Sequence, residues 1–438
     1  MKSSTSTTRN SSRVHEVFDH PGITSCGGAG LLIDFARQQL ELHNLLAELE
    51  MRKADWSTYS LADDLEALIY LRALGIERIA HVDELKYDPL LCHMLNVSEM
   101  AHRSTFYRSL DRFTTPEQVA MLPPVNRALL LHILEDRKDV ILDIDSTVNT
   151  VFGQQEGACV AYNPRYRGRP SYQPLVAFDA QSGAAVFVEL RSGKAPDAEE
   201  KMSFYEQAKS QLPKGVKVSF VRADKAFPSE AFCQELEDDG VKYALKLRMT
   251  KGLYDRIQRG VLWKRLSSDP DVVTEASSVS FKAQGWSDHR RVVLIRERPV
   301  FEQQLRLFKE YAWEYQAIVT NTDWDPETTW HFYNHRCTCE NYIKELKEGV
   351  RIDAITKHGF CPNAADLWLK AISHNLLRAL IGQAPSPYRR YSIRRFRRAF
   401  LRVAGVLVHH ARRWTLRLPL QWPHRKAWRA MRQAISPA

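Results

Sequence analysis

The sequence predicts an α/β protein with a mixed sheet, preceded by an all-helical N-terminal domain and followed by a basic helical tail. Between residues 139 and 247 the patterns come in the order three strands, helix, strand, helix, strand, which is typical of helices packed on a mixed sheet. Before residue 113 the apolar residues recur at helical spacing. After Asp366 the chain has sixteen Lys and Arg residues and no acidic residue.

At 438 residues the chain is long enough for two or three domains, each with its own core. It has no apolar run of about 18 residues, so we predict no membrane segment. The Ser- and Thr-rich start lacks the apolar stretch of a secretory signal. Seven scattered cysteines, an odd number, indicate reduced thiols, and we therefore expect a cytoplasmic protein.

The first part of the chain predicts an irregular or disordered tail over residues 1–29 and a helical domain over residues 30–135. One helix is expected to begin at Ser60, a good N-cap, and to end at Gly75. Residues 98–113 place three arginines on a short polar helix. This helix is either the reading helix of a helix-turn-helix or an ordinary linking helix.

The central part begins with a strand pattern from Val140 to Asp145. Proline suits the first turn of the helix that follows Pro196, and Gly240 ends the next helix. The remaining elements are predicted as strands Gln173–Phe178 and Ala185–Leu190, helix Pro196–Leu212, strand Val216–Ala223, helix Ser229–Asp239 and strand Val241–Leu247. Residues 250–324 are rich in strand patterns and turns, and we interpret them as a β-rich insertion.

A helix predicted from Tyr333 to Lys347 carries a polar stripe. At about 100° per residue, Tyr333, Arg336, Glu340 and Lys347 fall within roughly 60° of one another. A carboxylate among phosphate-binding donors suits a site that holds a metal ion and a nucleic-acid strand. The alternative is a solvated helix face with ion pairs such as Glu340–Lys344.

Two strands end in carboxylates that we expect to converge with Glu340. Asp143 and Asp145 alternate along one strand and therefore point to the same face, and Asp224 follows another strand. Three carboxylates suit two oxygen-loving divalent cations such as Mg²⁺ or Mn²⁺. Two such ions support phosphodiester hydrolysis and transesterification without a covalent enzyme intermediate.

The basic end of the chain indicates a polyanionic partner, with nucleic acid as the first candidate. Aromatic residues lie among its basic residues, a mixture that suits contact with DNA. These aromatic residues are Tyr388, Tyr391, Trp414, Trp422 and Trp428. The alternative is a basic helical tail that serves only solubility or assembly.

Several motifs resemble those of one enzyme family. The spacing Tyr-x2-Arg-x3-Glu-x6-Lys, met by Tyr333, Arg336, Glu340 and Lys347, resembles the signature of DDE transposases of bacterial insertion sequences, in the insertion sequence family 4 group. Three segments are similar to the insertion sequence family 1380 branch of that group. These segments are Leu142–Thr147, Gly153–Gly157 and Arg222–Phe227.

The resemblance implies a ribonuclease-H-like catalytic core interrupted by the β-rich insertion. It implies that Asp145, Asp224 and Glu340 are catalytic and bind two Mg²⁺ or Mn²⁺ ions, and that the Tyr, Arg and Lys of the signature bind transposon-end DNA. Asp145 is favoured as the first aspartate because Ser146 and Thr147 follow it, with Asp143 as the alternative. The layout is an irregular tail at 1–29, a helical DNA-binding domain at 30–135, the core at 136–249 and 325–384 around the insertion at 250–324, and a basic, aromatic-rich tail for DNA binding or dimerisation at 385–438.

The function implied by the resemblance is cut-and-paste transposition. Such an enzyme binds the terminal inverted repeats of its element as a homodimer, cleaves the DNA and joins the 3′ ends to target DNA, in the bacterial cytoplasm at the nucleoid. One alternative is a catalytically inactive or domesticated transposase that acts as a DNA-binding protein. Another is a metal-dependent nuclease without strand transfer.

Overall fold

The computed structural model describes residues 16–51, 53–269, 271–299 and 313–436. Most of the tail predicted over residues 1–29 therefore lies outside the described residues. Its last part is ordered, because Ile23 and Thr24 form a short strand that pairs with Val406 and Gly405. The prediction of an irregular segment is wrong at this strand.

The N-terminal part is helical after its first strand, as predicted. Its elements are β1 (Ile23–Thr24), α1 (Ala29–Gln38), α2 (Leu42–Ala47), α3 (Leu61–Leu74), a 3₁₀ helix (Ile79–Leu85), α4 (Pro89–Met94), α5 (Arg103–Leu110), α6 (Pro116–Val119) and α7 (Leu122–Ile133). Ser60 caps α3 in a capping box with Asp63, and Gly75 ends it at a φ of 98°. The predicted bounds of this helix are confirmed.

The predicted alternation of strands and helices is confirmed in the central part. Its elements are β2 (Asp139–Ser146), β3 (Asn149–Thr150), β4 (Cys159–Val160), β5 (Pro170–Tyr172), β6 (Leu175–Asp179), β7 (Ala185–Glu189), α8 (Ala198–Ser210), β8 (Lys217–Ala223), α9 (Glu230–Asp238) and β9 (Lys242–Leu247). β2 is antiparallel to β6 and parallel to β8, and β8 is parallel to β9. The three short strands form a separate sheet in the order β3-β5-β4.

The strands of the segment 250–324 continue the central sheet. They follow a short helix, and the elements are α10 (Lys251–Gln258), β10 (Lys264–Asp269), β11 (Val272–Phe281), β12 (Arg290–Pro299) and β13 (Glu314–Thr320). β13 pairs with β9, which gives a mixed sheet of nine strands in the order β10-β11-β12-β13-β9-β8-β2-β6-β7. The protein therefore has an α/β fold with a large mixed sheet.

The single helix predicted from Tyr333 to Lys347 is wrong, because the structure has two helices there. α11 (Pro326–Asn334) ends just after Tyr333, and α12 (Cys337–Val350) follows a tight turn. In this turn the N–H of Arg336 bonds to the carbonyl of Tyr333, and the N–H of Cys339 bonds to that of Arg336. In both bonds the N–H group donates to the carbonyl three residues before it, as in a 3₁₀ turn. Such bonds tighten the backbone and interrupt the regular α-helix.

The long helix α13 (Phe360–Gly382) joins the two halves of the molecule, since it packs against α3, α7 and α12. Asp366 in this helix is 1% exposed and pairs with Arg72 of α3 and with Lys370. The helical N-terminal part and the central sheet thus share one hydrophobic core. In the part of the chain that the structure describes, no helix combines the length and apolar character needed to cross a membrane.

The basic helical tail predicted after the core is wrong in part. The last elements are a 3₁₀ turn (Tyr388–Arg390), α14 (Ile393–Phe396), a π-helical turn (Arg397–Leu401), β14 (Gly405–His410), β15 (Arg413–Arg417) and α15 (Arg425–Ile435). β14 pairs with both β1 and β15, so that this segment contains a sheet. Of the five aromatic residues predicted to contact DNA, Trp414 is 51% exposed. The other four are half-buried and pack against the core, with the ring centres of Trp422 and Trp428 5.1 Å apart.

Candidate active site

The sheet register brings the first two predicted carboxylates to neighbouring strand ends. Ile144 of β2 pairs with Ala223 of β8, so that Asp145 and Asp224 follow at adjacent positions. Neighbouring strands lie about 4.8 Å apart. The Oδ1 atom of Asp224 accepts a hydrogen bond from the N–H of Ala226 at 2.9 Å. The two aspartates therefore share one edge of the sheet, as predicted.

Asp143, the alternative first aspartate, already has a partner. It is 0% exposed, and its two oxygens accept hydrogen bonds from Arg222 at 2.6 and 2.8 Å. These two residues face each other in the register of β2 and β8. A third bond runs from Arg222 to the carbonyl of Phe332 in α11. Asp143 therefore holds a buried ion pair that fixes β2, β8 and α11 together.

The carboxylate of Asp145 is mostly buried and has charges of both signs around it. Its side chain is 14% exposed and forms an ion pair with Arg336 at 2.9 Å. Burial, together with the charges of Asp224 and Glu340, raises its pKa to about 6 against the opposing effect of Arg336. Burial alone would lower the pKa of Arg336, but Asp145 raises it, so that the guanidinium stays charged. Asp145 thus has a costly negative charge that Arg336 offsets in part.

Glu340 reaches the same site from α12. It lies in the first turn of that helix, where the helix dipole favours a carboxylate, and its side chain is exposed. Asp145, Glu340 and Lys347 all line an open cavity of about 960 Å³. Lys347 is half-buried, and burial lowers its pKa. These three residues therefore place two carboxylates and an ammonium group on the cavity wall, which also includes other charged residues such as Asp353 and Arg165.

Tyr333 and Arg336 are placed differently from Lys347. Their exposed fractions are 6% and 7%. Burial, together with the charges of Asp224 and Asp145, raises the pKa of Tyr333 to about 12 against the opposing effect of Arg336. Tyr333 packs with apolar residues such as Phe220 and Trp330. Of the three residues predicted to bind DNA, Lys347 is the one that faces the cavity.

The three predicted metal ligands do not form a tight cluster in this structure. Within the described ranges, the carboxylates whose oxygens approach one another within 4.8 Å are Glu206, Glu235 and Asp239. Glu206 lies on α8, Glu235 lies on α9 and Asp239 directly follows α9, and Tyr205 and Lys209 already bond to Asp239.

Sequence reasoning missed two charged residues near the site. Arg222 pairs with Asp143, and this could be found only from the register of two parallel strands that are far apart in sequence. Lys201 of α8 is 8% exposed, and burial lowers its pKa while Asp197 and Asp224 raise it. Its helical position carries no sequence signal that would connect it with Asp224.

Comparisons with known proteins identify the family. Among solved structures, the chain is similar to the piggyBac transposase in a cryo-electron microscopy structure of its synaptic complex with hairpin DNA, at 12% identity and a TM-score of 0.48. This similarity covers 86% of the chain and 81% of that protein. The comparison with curated proteins found no match. The family model described as "Transposase DDE domain group 1" matches residues 6–438, and the chain therefore belongs to the DDE transposase family.

Proposed function

We propose that this protein is a cut-and-paste transposase of the insertion sequence family 4 group, closest to the insertion sequence family 1380 branch. It binds the terminal inverted repeats of its element, cleaves the DNA strands and joins the 3′ ends to target DNA. It acts as a homodimer on the bacterial nucleoid, in the cytoplasm. The family assignment supports this proposal, and so does the signature from Tyr333 to Lys347.

The observation that carries the proposal is the placement of Asp145. It lies at a strand end beside Asp224, lines a cavity with Glu340, and has a pKa of about 6 that reflects burial and nearby negative charge. An all-oxygen donor set of this kind fits Mg²⁺ or Mn²⁺. Two such ions, held by these three carboxylates, would supply an activated water or 3′-hydroxyl and stabilise the leaving oxygen.

The chain's own residues have distinct roles in this proposal. Arg336 holds the Asp145 carboxylate through Oδ2 and also donates to the carbonyl of Ile144 at 3.4 Å, which orients the ligand. Lys347 contacts a DNA phosphate in the cavity. Tyr333 and Arg336 approach the DNA near the cleaved phosphate only if their surroundings open, because both are buried in this structure.

A ribonuclease-H-like core is the architecture that we propose for the site. The order of the strands supports it, since β2, β6 and β7 are antiparallel neighbours and β8 and β9 extend the sheet parallel to β2. A helix precedes each of the two parallel strands. We also propose the domain layout that the sequence predicts. In this layout, residues 30–135 and 385–438 bind the transposon ends.

Exposed cations of the last segment support DNA binding by that region. Those on β15, on α15 and at the turn before β15 include Arg412, Arg413, Arg417, Arg425, Lys426 and Arg429. Other arginines of the segment have structural roles. Arg397 donates to the carbonyls of Arg72, Ala73 and Gly349 and so satisfies the ends of α3 and α12. Exposed cations such as those on β15 and α15 are available for phosphates, and their affinity for DNA should fall steeply as the salt concentration rises.

The test uses purified protein, Mg²⁺ and a plasmid that carries both ends of the element. The variant is Glu340→Gln, and the matched control is Glu348→Gln on an exposed position of the same helix. Wild type and control should cleave at the ends and give joined products. Glu340→Gln should lose at least about 100-fold in cleavage rate, because it replaces a metal ligand, while its binding to end DNA is retained.

The outcomes separate the competing functions. Binding without cleavage by wild type and variant alike would favour an inactive or domesticated transposase. Cleavage without joined products would favour a simple nuclease. Equal cleavage by wild type and Glu340→Gln would exclude Glu340 as a metal ligand.

A further inference from the structure

The segment between β3 and β5 carries exposed aromatic side chains that the proposed catalytic residues do not use. Phe152, Tyr162 and Tyr166 are 69%, 76% and 40% exposed. The transfer of an aromatic side chain from water into a binding interface is favourable. Several exposed rings on one segment therefore indicate a binding surface. We call residues 152–169 the aromatic platform.

Hydrogen bonds position the backbone of the aromatic platform. Asn163 accepts a bond from the N–H of Tyr166 at 2.9 Å and donates to the hydroxyl of Thr150 at 2.9 Å. Glu156 accepts a bond from the N–H of Phe360 at the start of α13, also at 2.9 Å. The exposed rings are thus presented by a fixed backbone, which lowers the entropy cost of binding.

The charge of the aromatic platform favours an anionic ligand. It contains Arg165, Arg167 and Arg169, all exposed, and its one acidic residue, Glu156, is already bonded to α13. Two of the arginines also support the rings. The guanidinium of Arg165 lies 5.7 Å from the ring centre of Tyr166, and that of Arg169 lies 5.9 Å from that of Phe152. Arginines among aromatic rings are typical of surfaces that bind single-stranded nucleic acid.

The location of the aromatic platform relates it to the catalytic residues. Phe152, Arg165 and Tyr166 line the same cavity as Asp145 and Glu340. Neighbouring base pairs cover the faces of a base within a duplex, so that an aromatic side chain stacks only on a base that has left the helix. We propose that the aromatic platform stacks unpaired bases of the DNA strand beside the cleavage site, an inference that rests on the proposed function.

The test measures binding without cleavage, in the absence of divalent metal. Fluorescence anisotropy compares a short labelled single strand with the duplex of the same sequence. The variant is the double substitution Phe152→Ala and Tyr166→Ala, and the ring-preserving control combines Phe152→Tyr with Tyr166→Phe. Tyr254→Ala removes an exposed ring outside the proposed end-binding regions, since Tyr254 on α10 is 43% exposed and is not among the residues that line the cavity. Circular dichroism confirms that each variant is folded.

We expect the double alanine variant to bind the single strand at least about fivefold more weakly, with duplex affinity and both controls unchanged. Equal losses on both probes would overturn the inference, because the platform would then act on the DNA backbone. Unchanged binding of the single strand by the double variant would also overturn it. Cleavage of end DNA by the wild type tests the proposed function separately. If the wild type cleaves, the proposed function stands even when this inference fails. If it does not cleave, the proposed function itself is contradicted.

Discussion

Asp145→Asn is expected to abolish DNA cleavage while leaving the protein folded. Asparagine has nearly the same shape but lacks the negative charge that a divalent cation requires. We expect a loss of at least about 100-fold in the cleavage rate, since even residues that only support metal ligands contribute 10- to 100-fold. Removing the charge relieves the unfavourable burial that raises the pKa of Asp145 to about 6, but it also leaves the buried Arg336 without its carboxylate. The free energy of unfolding should therefore fall by less than in Asp143→Asn, which removes a fully buried carboxylate that accepts two hydrogen bonds from its arginine.

Asp143→Asn is the matched control, and the opposite pattern is expected. This change leaves Arg222 buried at 3% exposure without its carboxylate partner. Breaking a buried ion pair costs about 3–5 kcal/mol of stability. Urea unfolding of both variants, together with cleavage of end DNA, separates the two roles. A stable but inactive Asp143→Asn beside an active Asp145→Asn would show that the first catalytic aspartate has been assigned wrongly.

The second large effect is expected at Asp366. This residue is 1% exposed, accepts a hydrogen bond from Thr356 at 2.6 Å and pairs with Arg72 and Lys370. Asp366→Asn leaves two buried cations without their shared carboxylate. We expect about 3–5 kcal/mol lower stability in urea unfolding at neutral pH. Asp83→Asn, in a half-exposed pair with Arg103, should cost about 1 kcal/mol or less.

The stability difference between the wild type and Asp366→Asn should depend on pH. Burial alone would raise the pKa of Asp366, but Arg72 and Lys370 lower it to about 2, below its ordinary value of 3.8. The ionised carboxylate therefore stabilises the fold above pH 3.8, and this contribution is lost as the pH falls through 2. The difference between wild type and Asp366→Asn should shrink over that range. A difference that stays constant with pH would contradict the ion-pair account.

The sequence predicted the elements that have strong local signals. A strand is predicted at Val216–Ala223, and the structure has it at Lys217–Ala223. Helix α3 lies between Ser60 and Gly75, the limits that the sequence predicts. The adjacency of Asp145 and Asp224 followed from their positions at strand ends. Alternation and capping act within a few residues, so one sequence is enough to find them.

The missed features depend on contacts between distant residues. The turn between β14 and β15 has positive φ at Ala411 and Arg412, where Asn or Gly would be the usual signal. The sequence therefore predicts a basic helical tail where the structure has this hairpin. The tight turn at His335 and Arg336 likewise has no local signal. There Arg336 reaches Asp145, a residue almost two hundred positions earlier in the chain.

The central claim is that Asp145, Asp224 and Glu340 hold the divalent ions, and Mn²⁺ binding tests it most directly. Electron paramagnetic resonance of free Mn²⁺ would compare the wild type with Asp145→Asn, Asp224→Asn and Glu340→Gln. Glu235→Gln, in the acidic group of Glu206, Glu235 and Asp239, is the control. We predict at least about tenfold weaker binding in each of the three variants and unchanged binding in the control. Loss of binding in Glu235→Gln with retention in the other three would contradict the account, because it would place the metal site on α8 and α9.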